Sequence, residues 1–160
     1  MNIDIDWQEP IQLTHSKTII IDKDAPPQEI ENRAGVYFFS RKFGKHYEPF
    51  YIGQTLTLRA RLKSHLGTTK LDYVLRESDD ANIQIKGGER YFHFGYYNSH
   101  SVKRTKKCIQ IVEKYLVRTA LAKNIKLLNK QLTAFKTDKL SFNGTAKARG
   151  IYAKKAVVEA

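Results

Sequence analysis

Five polar side chains in this chain stand where their types and spacing could do chemistry: Tyr37, Tyr51, Arg61, His65 and Glu113. Arg61 and His65 are four residues apart in a segment whose leucines, Leu58, Leu62 and Leu66, recur at helical spacing. The two polar groups therefore share one helix face beside the apolar stripe. Phe50-Tyr51-Ile52 ahead of that helix is an aromatic and β-branched run that reads as a strand, and Gly53 breaks it. The helix face thus looks toward the strand end that carries Tyr51. Glu113 follows Ile109 by four residues and precedes Leu116 by three, which sets it at the border of a buried helix face. A carboxylate there costs free energy unless it has a partner, and either a metal ion or an arginine such as Arg61 would serve. A guanidinium matches the geometry of a phosphate group. A phenol, with its pKa of about 10, is protonated at neutral pH and gains acidity beside cations. The chemistry such a set could do is phosphate-directed. The plainer reading is two half-buried strand tyrosines and an ion pair between Glu113 and Arg61.

A second strand-like run, Ala34-Gly35-Val36-Tyr37-Phe38-Phe39, ends in aromatics in the same way. Gly35-Val36-Tyr37, then Tyr51-Ile52-Gly53, then Arg61 eight residues and His65 twelve residues after that glycine, resemble the GIY-YIG nuclease family. Glu113 within a helix and Asn129 in Leu127-Leu128-Asn129 are two further matches. The resemblance spans residues 34–130 and rests on six spaced features in the right order, where either tripeptide alone would be chance.

What the resemblance implies is Mg²⁺-dependent hydrolysis of phosphodiester bonds. Glu113 becomes the metal ligand, with water and phosphate at most of the other positions, an arrangement that suits Mg²⁺; Mn²⁺ is a possible substitute. Arg61 neutralises charge developing on the scissile phosphate. One motif tyrosine acts on the nucleophilic water, and the assignment made here is Tyr37 as base with Tyr51 in support. His65 assists proton transfer or holds a phosphate, and Asn129 orients its neighbours. The implied fold is α+β: a small central antiparallel three-stranded sheet flanked by helices.

The elements that must position these groups can be read along the chain. Residues 1–33 form an acidic N-terminal extension with β-branched runs at 11–13 and 18–21. Residues 34–131 are the expected nuclease domain. Its first strand covers 35–40, a polar connection at 41–47 leads to the strand at 50–52, and a helix follows that Thr55 or Thr57 caps and Gly67 ends. A short helix over 70–78, a turn at 79–82 and a third strand over 89–97, with Phe92, Phe94 and Tyr96 alternating, come next. His93 on the opposite face of that strand reads as a packed or surface histidine. A long helix over 101–124 carries Ile109, Val112, Leu116 and Ala120. Residues 132–160 are a basic tail, read as a DNA-wrapping arm, a dimerisation element or a disordered end.

With 160 residues the chain has room for one domain with a core. Cys108 is the single cysteine, which excludes a disulfide framework or a cysteine-ligated zinc site within the chain. No apolar run spans a membrane and no signal-peptide pattern is present, so the reading is a soluble, cytoplasmic protein with no membrane partner. Of the net charge of +12, residues 1–32 hold −5, from two Lys against seven Asp or Glu. Residues 33–160 therefore carry +17, from 26 basic against 9 acidic residues. That asymmetry points to nucleic acid. Lys103, Arg104, Lys106 and Lys107 at the start of the long helix are the candidate DNA-backbone contacts.

The expected function is a Mg²⁺-dependent DNA endonuclease of the restriction type, as a homodimer that cuts two strands. A repair or mobile-element nuclease is the first alternative. A basic DNA-binding module on a nuclease fold that no longer cuts is the second, and the motif side chains argue against it, because binding alone needs the cations and not Glu113.

Overall fold

The computed structural model describes residues 2–77, 85–98, 101–129 and 138–158. In chain order the elements are β1 (Asn2–Trp7), β2 (Ile11–Gln12), β3 (Thr14–His15), β4 (Thr18–Ile19), β5 (Gly35–Phe43), β6 (His46–Thr55), α1 (Leu58–Leu66), α2 (Thr69–Leu75), β7 (Glu89–Tyr97), α3 (Val102–Ala122), β8 (Asp138–Asn143), α4 (Ala146–Arg149) and β9 (Lys155–Val158). The main sheet runs β6-β5-β7-β1-β8-β9, with β2 also on β7, while β3 and β4 form a separate small hairpin. All its pairings are antiparallel except that of β1 with β8. No helix among the described residues is long and apolar enough to cross a membrane.

The expectation of a small three-stranded sheet is thereby corrected. β6, β5 and β7 lie side by side, but the sheet is large, seven-stranded and mixed. It draws strands from both ends of the chain. The N-terminal run Asn2-Ile3-Asp4-Ile5-Asp6-Trp7 has a period of two that its acidic composition obscures: Ile3, Ile5 and Trp7 are buried while Asn2 and Asp4 face solvent. Residues 138–143 lie parallel to this strand, pairing Ile3 with Leu140 and Ile5 with Phe142, whose side chains are also buried. Burying these five side chains is ample reason for both ends of the chain to join the sheet. The turn expected over 79–82 and the tail residues 132–137 lie outside the described residues.

Each sheet face carries its own core. On one, Tyr37, Phe39, Phe50, Phe92, Phe94 and Tyr96 pack with the leucines of α1 and with Leu71, Val74 and Leu75 of α2. On the other, Val36, Phe38, Ile52 and the side chains of β1 and β8 pack against Cys108, Ile109, Val112 and Leu116 of α3. α4 joins this second side through Ala148. His93 belongs here too, fully buried, stacked on Phe38 at 4.1 Å between ring centroids and bonded to Ser40 Oγ and the Ala148 carbonyl.

Residues 41–47, expected as a polar connection, are mostly strand. The β5–β6 hairpin closes tightly at Gly44 and Lys45, with Phe43 opposite His46. Its polar residues are held by cross-strand partners: Arg41 Nε donates to Glu48 at 3.1 Å, and Lys42 lies over the Tyr47 ring at 5.4 Å. Two glycines are set by close approach. A Cβ on Gly35 would stand 2.1 Å from the Gly95 carbonyl oxygen, and one on Gly53 would stand 2.4 Å from Tyr37 Oη. The first permits β5 to pair with β7, and the second leaves room for the Tyr37 ring to cross β6.

Candidate functional site

β5 presents Tyr37 toward the α1 side of the sheet, and β6, offset by the register that pairs Phe39 with Tyr51, presents Tyr51 beside it. Their rings are nearly parallel, 13° apart in plane with centroids 6.5 Å apart. α1 starts without the expected threonine cap, since Thr57 makes no side-chain cap bond. Its first N–H groups are instead taken by the loop before β5: Leu58 N–H donates to the Arg33 carbonyl at 2.9 Å and Ala60 N–H to Asn32 Oδ1 at 3.1 Å. The buried leucines Leu58, Leu62 and Leu66 then fix the helix rotation. His65 falls against the tyrosines, its Nε2 2.6 Å from Tyr37 Oη and its ring 4.9 Å from that of Tyr51.

Burial sets the protonation of this group. The Tyr37 phenol is raised well above its ordinary value, first by burial and then by the neighbouring Tyr51 and Glu113, with Arg61 opposing. Tyr51 is raised by burial, again with Arg61 opposing. His65 is lowered to about 4 by burial and then by the Arg61 charge, so it is neutral at pH 7. A neutral imidazole 2.6 Å from a protonated phenol can pair in two ways: Tyr37 donates to Nε2 when Nδ1 carries the ring proton, and Nε2–H donates to Tyr37 Oη in the other tautomer. Arg61 itself is exposed, open to a ligand, and its charge reaches both tyrosines and His65.

Glu113 lies on α3 on the other side of the sheet's outer strand, half-buried, and its charge also reaches both tyrosines. Burial pushes its carboxyl up to about 7, with Lys114 opposing. Among the described residues it forms no ion pair, with Arg61 or with any other cation. A half-buried carboxylate with no ion pair among the described residues is what a cation would stabilise. No group of three or more His, Cys, Asp or Glu that could hold a metal stands among the described residues, and the donor whose charge reaches both tyrosines is the Glu113 carboxylate. Such a donor fits Mg²⁺, which dehydrates reluctantly and keeps several waters.

Asn129 is placed on the outer edge of β6. Its Oδ1 accepts from Ile52 N–H at 3.1 Å and its Nδ2 donates to the Ile52 carbonyl, while Leu128 N–H donates to the Phe50 carbonyl at 2.7 Å. β6 is the end of the sheet, and these bonds satisfy its free backbone groups as another strand would. Asn129 thus holds the backbone between Tyr51 and Gly53 and touches neither tyrosine ring through these bonds.

Lys103, Arg104, Lys106 and Lys107 are exposed in the first two turns of α3. Ser101 caps the helix, accepting from Arg104 N–H at 3.2 Å. Four cations and no acidic residue in that region oppose the helix dipole, a stability cost that an anionic ligand would remove. Reading the sequence missed the direct Tyr37–His65 bond and the reason for Gly53; the glycine itself was the available signal, since nothing larger fits beneath a crossing tyrosine ring. Comparison of the chain with protein-family models, with curated proteins and with solved structures finds no match.

Proposed function

We propose that the chain is a Mg²⁺-dependent endonuclease acting on DNA in the cytoplasm, of the restriction type and with the residue pattern of the GIY-YIG nucleases. The observation that carries the reading is Glu113: a half-buried carboxylate with no ion-pair partner among the described residues, electrostatically coupled to two tyrosines that also feel an exposed arginine. A protein that only binds DNA gains nothing from such a carboxylate, which repels phosphate.

Arg61 binds the scissile phosphate and balances the charge that grows on its oxygens during attack. In the tautomer with the ring proton on Nδ1, Tyr37 donates to His65 Nε2, which leaves its oxygen able to accept a proton from an incoming water. As that water attacks phosphorus, its proton passes to Tyr37 Oη while the Tyr37 proton moves to His65; the bond to the ester oxygen breaks with its electron pair on that oxygen, which takes a proton from solvent, and His65 then releases its own to solvent. The approach of an anionic phosphate raises the proton affinity of His65 when that step needs it. Tyr51, less buried than Tyr37, orients the water or a phosphate oxygen. Glu113 would hold Mg²⁺, which when bound supplies Lewis-acid stabilisation of the phosphoryl oxygens. Lys103, Arg104, Lys106 and Lys107 hold the DNA backbone, and a homodimer brings two such sites to two strands.

The test is cleavage of supercoiled plasmid with and without Mg²⁺, beside Glu113→Ala. Discrete fragments that need both the ion and Glu113 are expected. Nicks or smears with the same requirements would favour a repair or mobile-element nuclease, and binding without any cutting would favour the non-catalytic module.

A further inference from the structure

The β5–β6 hairpin tip and α4 enclose a cleft of about 480 Å³ whose charged lining, from Lys42, Lys45 and Lys147, contains no carboxylate. Lys42 is held in position there by the faces of Tyr47 and Tyr91, at 5.4 and 5.9 Å. Lys45 is exposed at the turn. Lys147 lies 3.7 Å from Glu9, an exposed pair of little strength that a phosphate could displace.

The cleft is on the same side of the sheet as α3: Ala148 and Tyr152 share the core with the α3 residues, and Tyr152 Oη donates to the Leu116 carbonyl at 3.1 Å. It is also at the opposite end of β6 from the start of α3. α3 begins shortly after β7 ends at Tyr97, and that end of β7 pairs with the Gly35 end of β5, away from the Gly44 turn. From Lys103 to Glu113 the helix rises about 15 Å, and from Tyr51 to His46 the strand runs about 17 Å. Along α3, Glu113 thus lies between the two cationic groups, while Tyr37, Tyr51 and His65 stand on the opposite side of the sheet.

We propose that the hairpin-tip cleft is a second backbone-binding site for duplex DNA, gripping phosphates on the far side of the scissile bond from the start of α3. The inference rests on the reading of the chain as a DNA enzyme. Duplex DNA suits the arrangement because it presents a phosphate to both cationic groups at once, which a mononucleotide cannot do. Lys45 and Lys147 each neutralise one phosphate.

The experiment is fluorescence-anisotropy binding of a labelled 30-base-pair duplex of mixed sequence from 50 to 200 mM salt, with the full chain and without divalent metal. Each lysine–phosphate contact contributes about 0.9 to the slope of log K against log salt. Lys45→Gln/Lys147→Gln is expected to lower the slope by about two, Lys45→Arg/Lys147→Arg to preserve it, and Lys70→Gln, exposed on α2 on the other side of the sheet, to leave it unchanged. A double glutamine variant with the wild-type slope overturns the proposal, as does an equal loss for Lys70→Gln or absence of duplex binding by the wild type. Plasmid cleavage separates the two readings. If the slope falls by two in a chain that never cuts, the cleft stands and the nuclease does not; if the chain cuts with its slope unaltered, the reverse holds.

Discussion

Tyr37 Oη and His65 Nε2 stand 2.6 Å apart, although one belongs to a strand and the other to a helix 28 residues further on. The bond exists because Gly53 leaves space for the Tyr37 ring and because the α1 leucines turn His65 toward it. If the pair moves one proton between them, its members act as a unit. Tyr37→Phe is expected to lower plasmid cleavage by about 10²- to 10⁴-fold, and His65→Ala by a similar factor. The double variant should lose little more than either alone, since removing one member already disables the other. Fully multiplicative losses in that cycle would show that the two side chains work independently.

Glu113 carries a pH signature of its own. Its folded pKa is raised from 4.5 to about 7, so folding favours its protonated form, and the penalty for the ionised form appears as pH rises through that window. Without metal, Glu113→Gln is expected to be more stable than wild type at pH 8 by about 1–2 kcal/mol after allowance for solvent screening, and equal to it near pH 4.5. Mg²⁺ should stabilise the wild type at pH 8, do so much less at pH 5.5, and leave the variant unmoved. Thermal melts at these pH values with and without Mg²⁺ check all three statements.

Gly53→Ala tests the packing beneath the tyrosine. The new methyl would meet Tyr37 Oη and the carbon that bears it at 2.4 and 2.5 Å, so the ring must leave its place over β6. Overpacking of this kind costs about 1–3 kcal/mol. Cleavage is expected to fall at least 100-fold, as for a misplaced catalytic group, while DNA affinity stays near wild type because the exposed cations are untouched. Loss of binding in parallel with cutting would argue that Tyr37 is part of the DNA-binding surface instead.

His93 governs part of the acid behaviour. Burial lowers its pKa to about 3 against an ordinary 6.5, so the unfolded chain takes up a proton that the folded chain refuses. The stability this represents is complete above about 6.5 and is lost as pH falls toward about 3, by up to about 1.4 kcal/mol per pH unit. His65 acts in the same direction down to about 4, whereas Glu113 acts in the opposite one between 4.5 and 7. The comparison that isolates His93 is therefore wild type against His93→Gln by urea unfolding between pH 6.5 and 5. The variant is expected to be less stable throughout, with a slope smaller by about half a proton at pH 6.5 and by nearly one at pH 5.

Much of the local structure is legible in the chain. The aromatic alternation of 89–97, the leucines of α1 and the apolar stripe of α3 each follow from side-chain periodicity, which depends only on neighbours in sequence. Asn2–Trp7 shows where composition misleads: its aspartates suggest a solvated extension, yet they alternate with Ile3, Ile5 and Trp7, and the strand is central to the sheet. Its pairing with β8 joins residues 2–6 to 139–143, and no local signal carries a contact across that separation.

For the candidate site, the sequence by itself determined the residue types, the helical spacing of Arg61 and His65, and the border position of Glu113 on its helix. Those are properties of a single element. Only the tertiary structure decided which tyrosine bonds to His65, that Glu113 does not pair with Arg61, and that Asn129 fastens the edge of β6. These outcomes depend on strand register, on the rotation of α1 over the sheet and on the path of the chain after α3. Each is set by packing among residues far apart in sequence, because the free energy of burial is a property of the assembled core.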